Sequence, residues 1–307
     1  MDNNIIKIYK NHKYNISPVL SGGLGNNLFQ IAAVYSYAWD MKLNIVVEDI
    51  MIPGVSHQKT YAGQTNDLPL KVSEIFPNIN SVNGPKYYWR KYECQEKEPG
   101  KFILLKDYLP KYMDKVKIVG AFVSSVFFDH NRDKIQDLLT FSPKITDYIT
   151  NKYKDLFKKK LVGVHIRRGD YIVMLTKSTS KKWCILDMNY YRKAFNEFKD
   201  MDVTFVFFSE DSESKEWIHK NLITMVKNHV IISNESGPVD LCLMSMCDHN
   251  IIANSTFSFW GAYLNKNKDK IVIVPSVWKK GDNMETMKIK VPTDWKIIEC
   301  ECILAKT

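Results

Sequence analysis

The second half of the chain alternates short apolar runs with segments of helical character. The apolar runs are rich in β-branched and aromatic residues and lie at 161–166, 203–208, 230–232, 250–253 and 271–274. They lack the strict alternation of a half-exposed strand, as expected when helices cover both faces of a sheet. Segments with helical spacing lie between them, at 212–222, 239–247 and 256–265. Strands and helices that alternate with short connections predict βαβ units and a parallel sheet.

The first half begins with the same pattern. An extended stretch near Val19 leads into a glycine turn, an apolar helix at 28–39 and a strand at 45–47. A later strand is predicted at 117–122, and the segment 51–112 has an irregular composition rich in Pro, Gly, Asn and Tyr. We place a boundary in the lysine-rich stretch 150–160, which gives two α/β domains, 1–155 and 156–307. A chain of 307 residues can bury a core in each.

Polar residues follow three of the predicted strands at the point where each strand ends. These segments are His165–Asp170, Ser209–Asp211 and Asn254–Ser258. Ligands of open parallel sheets bind outside the carboxyl ends of the strands. The pattern therefore predicts a ligand site in the second domain.

Two adjacent arginines, Arg167 and Arg168, follow the first of these strands. Neighbouring side chains of extended backbone point to opposite sides, so one arginine can bind a ligand while the other braces the structure. A guanidinium grips a pyrophosphate bidentately without a metal ion, and Asp170 is placed to hold one arginine. The alternative is a purely structural Arg–Asp pair beside a buried His165.

Hydroxyl and amide groups open the helix after the strand at 250–253. The candidates are Asn254, Ser255, Thr256 and Ser258, together with Asp240 at the start of the preceding helix. The first N–H groups of a helix bind phosphate, and hydroxyls add further donors. The alternative is ordinary helix capping.

Two further motifs have a structural alternative. Gly23, Gly25 and Asn26 lie in a turn where the backbone can approach a ligand closely. The turn lacks the third glycine of the dinucleotide fingerprint, and a plain strand-to-helix turn explains it equally well. Glu210 and Asp211 resemble a metal-binding pair. We favour their interpretation as acidic partners of a helix dipole, with Ser212 or Ser214 as the N-cap.

Composition narrows the classes of partner. The net charge of +9 favours an anionic partner, although the lysine clusters are equally typical of a solvated surface. The six cysteines lack zinc-site spacing, and we interpret all of them as reduced thiols. The N-terminus has no signal-peptide pattern, and no apolar run approaches the roughly 20 residues of a membrane span. We therefore expect a cytoplasmic protein whose basic surface allows peripheral association with a membrane.

Four blocks together resemble glycosyltransferase family 11, the α-1,2-fucosyltransferases. Residues 21–30 (SGGLGNNLFQ) resemble the opening GGLGNQLFQ of that family, and residues 164–171 (VHIRRGDY) match its HxRRxD motif. Residues 207–211 (FFSED) and 240–262 (DLCLMSMCDHNIIANSTFSFWGA) resemble its later blocks, in the same order. Asn27 replaces the second amide of the first block, and Phe259 replaces a tryptophan of the last, which leaves the identity of the acceptor open.

The resemblance implies a GT-B fold of two facing Rossmann-like domains, with an acceptor-side domain at 1–155 and a donor domain at 156–307. It implies inverting transfer of fucose from GDP-fucose to the 2-hydroxyl of a galactose-like sugar, with no metal or other cofactor. The resemblance also implies a role for individual residues. Arg167 would contact the donor phosphates, His165 and Asp240 guanosine, Ser255 and Thr256 the β-phosphate, and Asn26 the donor or the acceptor.

Three alternatives stay open at this point. A related transferase with another nucleotide sugar or linkage would carry the same motifs, and so would an inactive sugar-binding module. A nucleic-acid-binding protein would exploit the net charge, but the chain has no RNA-binding motif, and we expect no nucleic acid partner. The candidates for the general base are Asp170, Glu48 and Asp49.

Overall fold

The computed structural model describes residues 15–52, 70–83, 90–93, 104–109, 116–172 and 183–303. The described residues form two compact units, one up to Ser142 and the other from Pro143 onward. The sequence predicts this boundary later, at 155/156. It lies earlier because the helix Pro143–Lys152 packs against a helix of the second unit and because Glu235 of that unit accepts hydrogen bonds from Tyr148 and Lys152.

The first unit is built on a parallel sheet of four strands in the order β2-β1-β8-β7. Its strands are β1 Asn15–Pro18, β2 Asn44–Ile45, β3 Val47–Glu48, β4 Met51–Ile52, β5 Leu70–Lys71, β6 Ser81–Val82, β7 Arg90–Glu93 and β8 Val116–Val119. Its helices are α1 Leu24–Met41, α2 Val72–Ile75, α3 Leu105–Tyr108 and α4 Arg132–Leu138, with 3-10 turns at Ser125–Phe127 and Asp129–Asn131. The apolar α1 is longer at both ends than the pattern predicts and is buried along most of its length.

The second unit contains a parallel sheet of six strands and the helices that cover it. Its strands are β9 Leu161–His165, β10 Ile185–Leu186, β11 Thr204–Phe208, β12 His229–Ile231, β13 His249–Ile251, β14 Val272–Pro275, β15 Lys296–Ile298 and β16 Cys302–Ile303. Its helices are α5 Pro143–Lys152, α6 Met188–Asn196, α7 Ser212–Asn221, α8 Gly237–Ser245, α9 Thr256–Tyr263 and α10 Met284–Lys290, with 3-10 turns at Leu156–Lys158 and Ile223–Met225. The five strands and three helices predicted from the pattern of this half are all present. The elements that were not predicted are α5, α6, α10, β10, β15 and β16.

The strand order of the six-stranded sheet is β12-β11-β9-β13-β14-β15, with every pair parallel. Numbered along the chain, this is the order 3-2-1-4-5-6 of a doubly wound Rossmann sheet. The order reverses between β9 and β13. A ligand crevice is expected at the carboxyl ends of these two strands.

The core of the second unit lies between this sheet and the helices. Strand residues such as Val162, Val164 and Phe207 are fully buried, and Tyr190 of α6 packs among them. The Oη of Tyr190 donates to the carbonyl of Ile252 at 2.6 Å, so the one polar atom that this large side chain brings into the core is satisfied.

Two of the cysteines form a disulfide, so the prediction that all are reduced thiols is wrong. Cys184 directly precedes β10 and Cys302 is the first residue of β16, its antiparallel partner; their Cα atoms are 4.9 Å apart, within bridging range. Cys242 and Cys247 are free and buried, and burial raises the pKa of Cys242 to about 12. Cys94 lies outside the described residues. No helix in the described ranges is long and apolar enough to cross a bilayer.

Candidate active site

The segments that follow β9 and β13 meet at the point where the strand order reverses. The ring of His165 lies 5.6 Å from the ring of Phe257, centroid to centroid. The Oη of Tyr171 donates to the backbone carbonyl of Asn254 at 3.0 Å. The predicted proximity of the segments 165–170 and 254–258 is therefore present in the second unit.

Arg167 is held between two carboxylates. Its Nη2 bonds Oδ2 of Asp170 at 2.6 Å, its Nη1 contacts Oε1 of Glu210, and its guanidinium lies 5.2 Å from the centre of the Tyr171 ring. The prediction that Asp170 holds an arginine is confirmed. Because three neighbours restrict this side chain, the direction of its N–H groups is set before any ligand binds.

Arg168 points away from this cluster. Its guanidinium stacks on Trp217 of α7, 4.2 Å from the ring centre, and burial lowers the pKa of Arg168. The two arginines thus take the opposite sides that the extended backbone predicts. Arg168 braces α7, and the role of Arg167 toward a ligand stays a prediction.

His165 is buried at the end of β9, with 2% of its surface exposed. Its pKa is lowered to about 3, chiefly by burial and further by the charge of Arg167. The imidazole is therefore neutral near pH 7. Its Nδ1 has no hydrogen-bond partner in the described part of the chain.

The side chains at the start of α9 divide into two groups. Asn254 is fully buried, and its Nδ2 donates to the carbonyls of Cys184 at 2.8 Å and Trp278 at 2.9 Å. Ser258 is also fully buried and bonds the carbonyls of Ala253 and Ser255. These two side chains hold the loop and the helix start together, and their contact with the donor stays a prediction.

Ser255 and Thr256 lie at the first turn of the helix, where Ser255 is buried. Ser255 is the N-cap of α9, and its Oγ accepts from the N–H of Phe257 at 3.3 Å. Capping was the alternative interpretation of this residue. Thr256 is the first residue of the helix and is half-buried, so its hydroxyl and the free N–H groups beside it are the donors that this turn offers.

Unpaired buried polar atoms are concentrated at the carboxyl ends of β9, β11 and β13. Within the described residues, six of them have no hydrogen-bond partner: His165 Nδ1, Arg167 Nε, Asp170 Oδ1, Ser209 Oγ, Glu210 Oε2 and Asn254 Oδ1. Proteins leave few buried polar atoms unsatisfied, so such a cluster needs an explanation. A polar ligand that carries both donors and acceptors would satisfy it. We call these six residues the carboxyl-end cluster.

The sequence placed Ser209–Asp211 at the predicted ligand edge of the sheet, but Ser209 and Glu210 were not among the candidate site residues. Phe208 pairs with His165 in the register of β11 and β9, so the next residues of the two strands run side by side. Both strands had been predicted, so the adjacency of their carboxyl ends was the signal that could have identified these two residues. Asp211 is the N-cap of α7, accepting from the N–H of Ser214 at 2.7 Å, in place of Ser212 or Ser214.

Asp240 lies in the first turn of α8, the helix that packs against α9. The nearby carboxylate of Glu235 is almost fully buried and accepts from Oη of Tyr153 at 2.6 Å as well as from Lys152. Burial, that hydrogen bond and the charges of Glu235 and Asp240 raise the pKa of Tyr153. The oxygens of Glu235 are thus occupied by its own neighbours, and the contact of Asp240 with a ligand stays a prediction.

The glycine turn belongs to the first unit. Gly22 has φ +81°, and a Cβ there would lie 2.5 Å from Nδ2 of Asn26, so this position requires glycine. Gly23 is the exposed N-cap of α1, while Gly25 is buried within the helix. Asn27 is buried, and its amide bonds the carbonyl of Gly22 at 3.4 Å. The roles of Gly23, Gly25 and Asn26 toward a ligand stay predictions.

Two of the three candidate bases have structural partners in the first unit. Glu48 pairs with Lys117 at 3.2 Å, and both oxygens of Asp49 accept hydrogen bonds from Ser73 at the start of α2. Asp170 is the candidate within the carboxyl-end cluster. In the described ranges, no three His, Cys, Asp or Glu side chains are grouped as a metal site.

Comparison with known proteins identifies the family. Residues 87–299 match Glycosyl transferase family 11. The O-antigen biosynthesis glycosyltransferase WbnK of Escherichia coli is 30% identical over 303 residues, covering 86% of this chain and 95% of that protein. An alpha-1,2-colitosyltransferase of Escherichia coli is 24% identical over 298 residues, covering 91% and 97%.

More distant matches agree. The galactoside alpha-(1,2)-fucosyltransferase 2 of Hylobates lar is 25% identical over 251 residues, covering 79% of this chain and 67% of that protein. The crystal structure of POFUT1 in complex with GDP-fucose superposes with a TM-score of 0.53 at 10% identity, over 93% of this chain and 97% of that one. The chain has the α/β fold of the GT-B type, and it belongs to glycosyltransferase family 11.

Proposed function

We propose that this glycosyltransferase transfers L-fucose from GDP-fucose to the 2-hydroxyl of a galactose residue in a glycan, with inversion and without a metal ion. The carboxyl-end cluster at the reversal point of the sheet carries this proposal. It combines a pre-oriented arginine, a neutral histidine and unpaired carboxylate oxygens beside the start of a helix. The activities of the fucosyl- and colitosyltransferase relatives support the same type of transfer.

The departing diphosphate is the group whose charge must be stabilised. As the bond from C1 of fucose to the phosphate oxygen breaks, GDP leaves with the electron pair and gains negative charge. Arg167, the hydroxyl of Thr256 and the first N–H groups of α9 are the donors placed to stabilise that charge. Because Asp170 and Glu210 already orient Arg167, little reorganisation is needed during the reaction.

Asp170 and Glu210 together outweigh the charge of Arg167, so the site does more than attract an anion. Each carboxylate has one oxygen on Arg167 and one that is unpaired among the described residues. We assign the unpaired oxygens to hydroxyl groups of the sugars. Asp170 is our candidate base. Its carboxylate takes the proton of the acceptor hydroxyl while the oxygen of that hydroxyl forms the new bond to C1 of fucose.

Guanine recognition is assigned to Asp240 and His165. A carboxylate at the start of α8 can accept from the ring N–H and the amino group of guanine, a pair of donors that other bases do not present together. The neutral imidazole of His165 adds an acceptor or a donor according to its tautomer.

The test compares the two arginines. GDP release is measured with GDP-fucose and a panel of galactosides, with and without EDTA. Arg167→Lys keeps the charge but loses the planar fork, and we expect kcat to fall about a hundred- to a thousandfold. Arg168→Lys is the matched control: it loses the stacking on Trp217, and with it about 1 kcal/mol of stability, but keeps kcat.

Three results would refute this assignment: no GDP release above background, activity abolished by EDTA, or equal kcat losses in the two lysine variants. A second candidate donor, a colitose nucleotide, is favoured by the likeness to the colitosyltransferase over 91% of this chain. Colitose lacks the 3-hydroxyl of fucose. A site that bonds that hydroxyl rejects the deoxy sugar strongly, so the larger thermal shift identifies the true donor.

A further inference from the structure

A groove of about 650 Å³ lies at the amino ends of β11 and β12, the edge of the sheet opposite the carboxyl-end cluster. The end of α6, the loop 197–203 and the residues just before β12 form its walls. The proposed reaction uses none of these residues.

The floor of the groove is apolar and rigid. Phe195, Phe198 and Phe205 line it, each less than a tenth exposed. The ring of Phe205 lies 5.0 Å from that of Phe195 and 6.1 Å from that of Phe198, in edge-on contacts that fix all three. The groove is also lined by partly exposed apolar side chains, those of Met201, Met225 and Val226. A hydrocarbon chain can lie on them, whereas the three rings are too deeply buried to stack on bases.

The rim of the groove is cationic. Arg192, Lys193, Lys199 and Lys227 line it and are exposed, with Asp202 as the one carboxylate of the lining. None of the four cations forms an ion pair with any residue that the structure describes.

A second group of lysines extends this basic edge. The N–H of Thr204 at the start of β11 donates to the carbonyl of Lys160 at 2.8 Å. The exposed run Lys158–Lys160 therefore lies at the same edge of the sheet as the groove. Clusters of four to eight lysines and arginines are typical of surfaces that bind anionic lipid.

We propose that this groove binds an anionic phospholipid of a membrane surface, with the acyl chain on the partly exposed apolar side chains of the groove and the phosphate at the cationic rim. Charge complementarity selects an anion, and the apolar floor selects an amphipathic one over nucleic acid or an acidic peptide. A few cations and a single chain give reversible, salt-sensitive binding. Strands of this length hold the carboxyl-end cluster roughly 17 Å from the docked edge.

The experiment is flotation of the full chain with vesicles. We expect it to float with vesicles of equal parts phosphatidylglycerol and phosphatidylcholine, to remain unbound with phosphatidylcholine alone, and to be released by high salt. Lys199→Gln/Lys227→Gln should lower partition onto the anionic vesicles about thirtyfold, since each lysine near such a surface adds a several-fold factor. Lys106→Gln/Lys144→Gln removes the same charge at exposed positions of α3 and α5, and should leave partition near the wild-type value.

Equal losses in the two double variants would overturn the proposal, because they would show an effect of net charge alone. Equal binding to neutral vesicles would overturn it as well. So would displacement of the chain from anionic vesicles by inorganic phosphate, RNA or polyglutamate at matched ionic strength, since each would show that the rim binds an anion without the lipid. GDP release with soluble galactosides should be unchanged in Lys199→Gln/Lys227→Gln. Failure of the flotation test therefore leaves the proposed function intact, and failure of the GDP-release test leaves the lipid-binding proposal intact.

Discussion

Substitution of Asn254 tests whether its buried amide stabilises the fold around the site. It follows the strand β13, and a contact to the donor is what its position predicts from sequence. In the structure its amide donates to the carbonyls of Cys184 and Trp278, and the side chain is fully buried. Asn254→Ala removes both donors and leaves two buried carbonyls without partners.

The size of the effect follows from these two hydrogen bonds. A buried polar group left unsatisfied costs about 1–3 kcal/mol, so two carbonyls predict a loss of about 2–6 kcal/mol in the free energy of unfolding. Asn254→Asp should be at least as damaging, because a carboxylate cannot donate to either carbonyl and its charge would be buried.

The assay is urea unfolding, followed by titration of the protein with GDP-fucose at a temperature where the variant is folded. Asn265→Ala is the matched control. Its Nδ2 bonds the carbonyl of Cys247 at 2.7 Å and Oδ1 of Asn250 at 2.9 Å, and it is equally buried, beyond the far end of α9. Both variants should unfold at lower urea. Asn254→Ala should also weaken donor binding modestly, because it frees the helix start, and Asn265→Ala should not.

The reasoning is refuted if Asn254→Ala unfolds at the wild-type urea concentration and yet loses donor affinity. That pair of results would mean that the amide contacts the donor, as predicted from sequence, and that the two carbonyls have other partners.

Two further predictions concern His165 and the disulfide. The pKa of His165 is about 3 in the folded chain against 6.5 unfolded; its contribution to stability is therefore complete above pH 6.5 and is lost as the pH falls toward 3, with a slope approaching about 1.4 kcal/mol per pH unit. Urea unfolding across this range should show a shallower slope for His165→Gln than for the wild type, and equal slopes would contradict the burial of a neutral imidazole. The Cys184–Cys302 bond closes a loop with a sequence separation of 118; Cys302→Ser should lower the free energy of unfolding by about 2–4 kcal/mol. Dithiothreitol should then lower the thermal unfolding temperature of the wild type and leave that of this variant unchanged. A wild type whose unfolding temperature is the same with and without the reductant, added so that it also reaches the unfolded chain, would contradict the bond.

The pattern of the sequence was sufficient for the central sheet of the second unit. Buried parallel strands such as β9 and β11 consist almost wholly of apolar residues, and this local property needs no knowledge of distant partners. The same reasoning predicted that Arg167 and Arg168 take opposite sides, because the alternation of extended backbone is also local. The segments at the carboxyl ends of β9 and β13 were predicted to share a site because ligands of open parallel sheets bind outside those ends.

The features that were missed depend on contacts between distant parts of the chain. The pairing of β10 with β16 and its disulfide join residues that no local pattern relates. The structural role of Asn254 depends on a carbonyl 70 residues away. Glu210 sits at a helix start, where an acidic residue needs no further explanation, and only the register of β11 with β9 brings it to Arg167.

These distant contacts form a chain of interactions that ends at Arg167. The disulfide ties β16 to Cys184, the carbonyl of Cys184 accepts from Asn254, and the carbonyl of Asn254 accepts from Tyr171. Burial raises the pKa of Tyr171 to about 12, so its hydroxyl stays protonated and keeps donating.

The ring of Tyr171 in turn lies beside the guanidinium of Arg167, at 5.2 Å. Arg168 has none of these contacts, because Trp217 fixes it on the other side of the strand. One arginine of the pair is thus positioned by the C-terminal end of the fold and the other by its neighbouring helix. A local Arg–Asp pair would need only Asp170. The additional supports of Arg167 reach across the second unit, which is what a side chain must have if it is to present its donors to a ligand in one fixed direction.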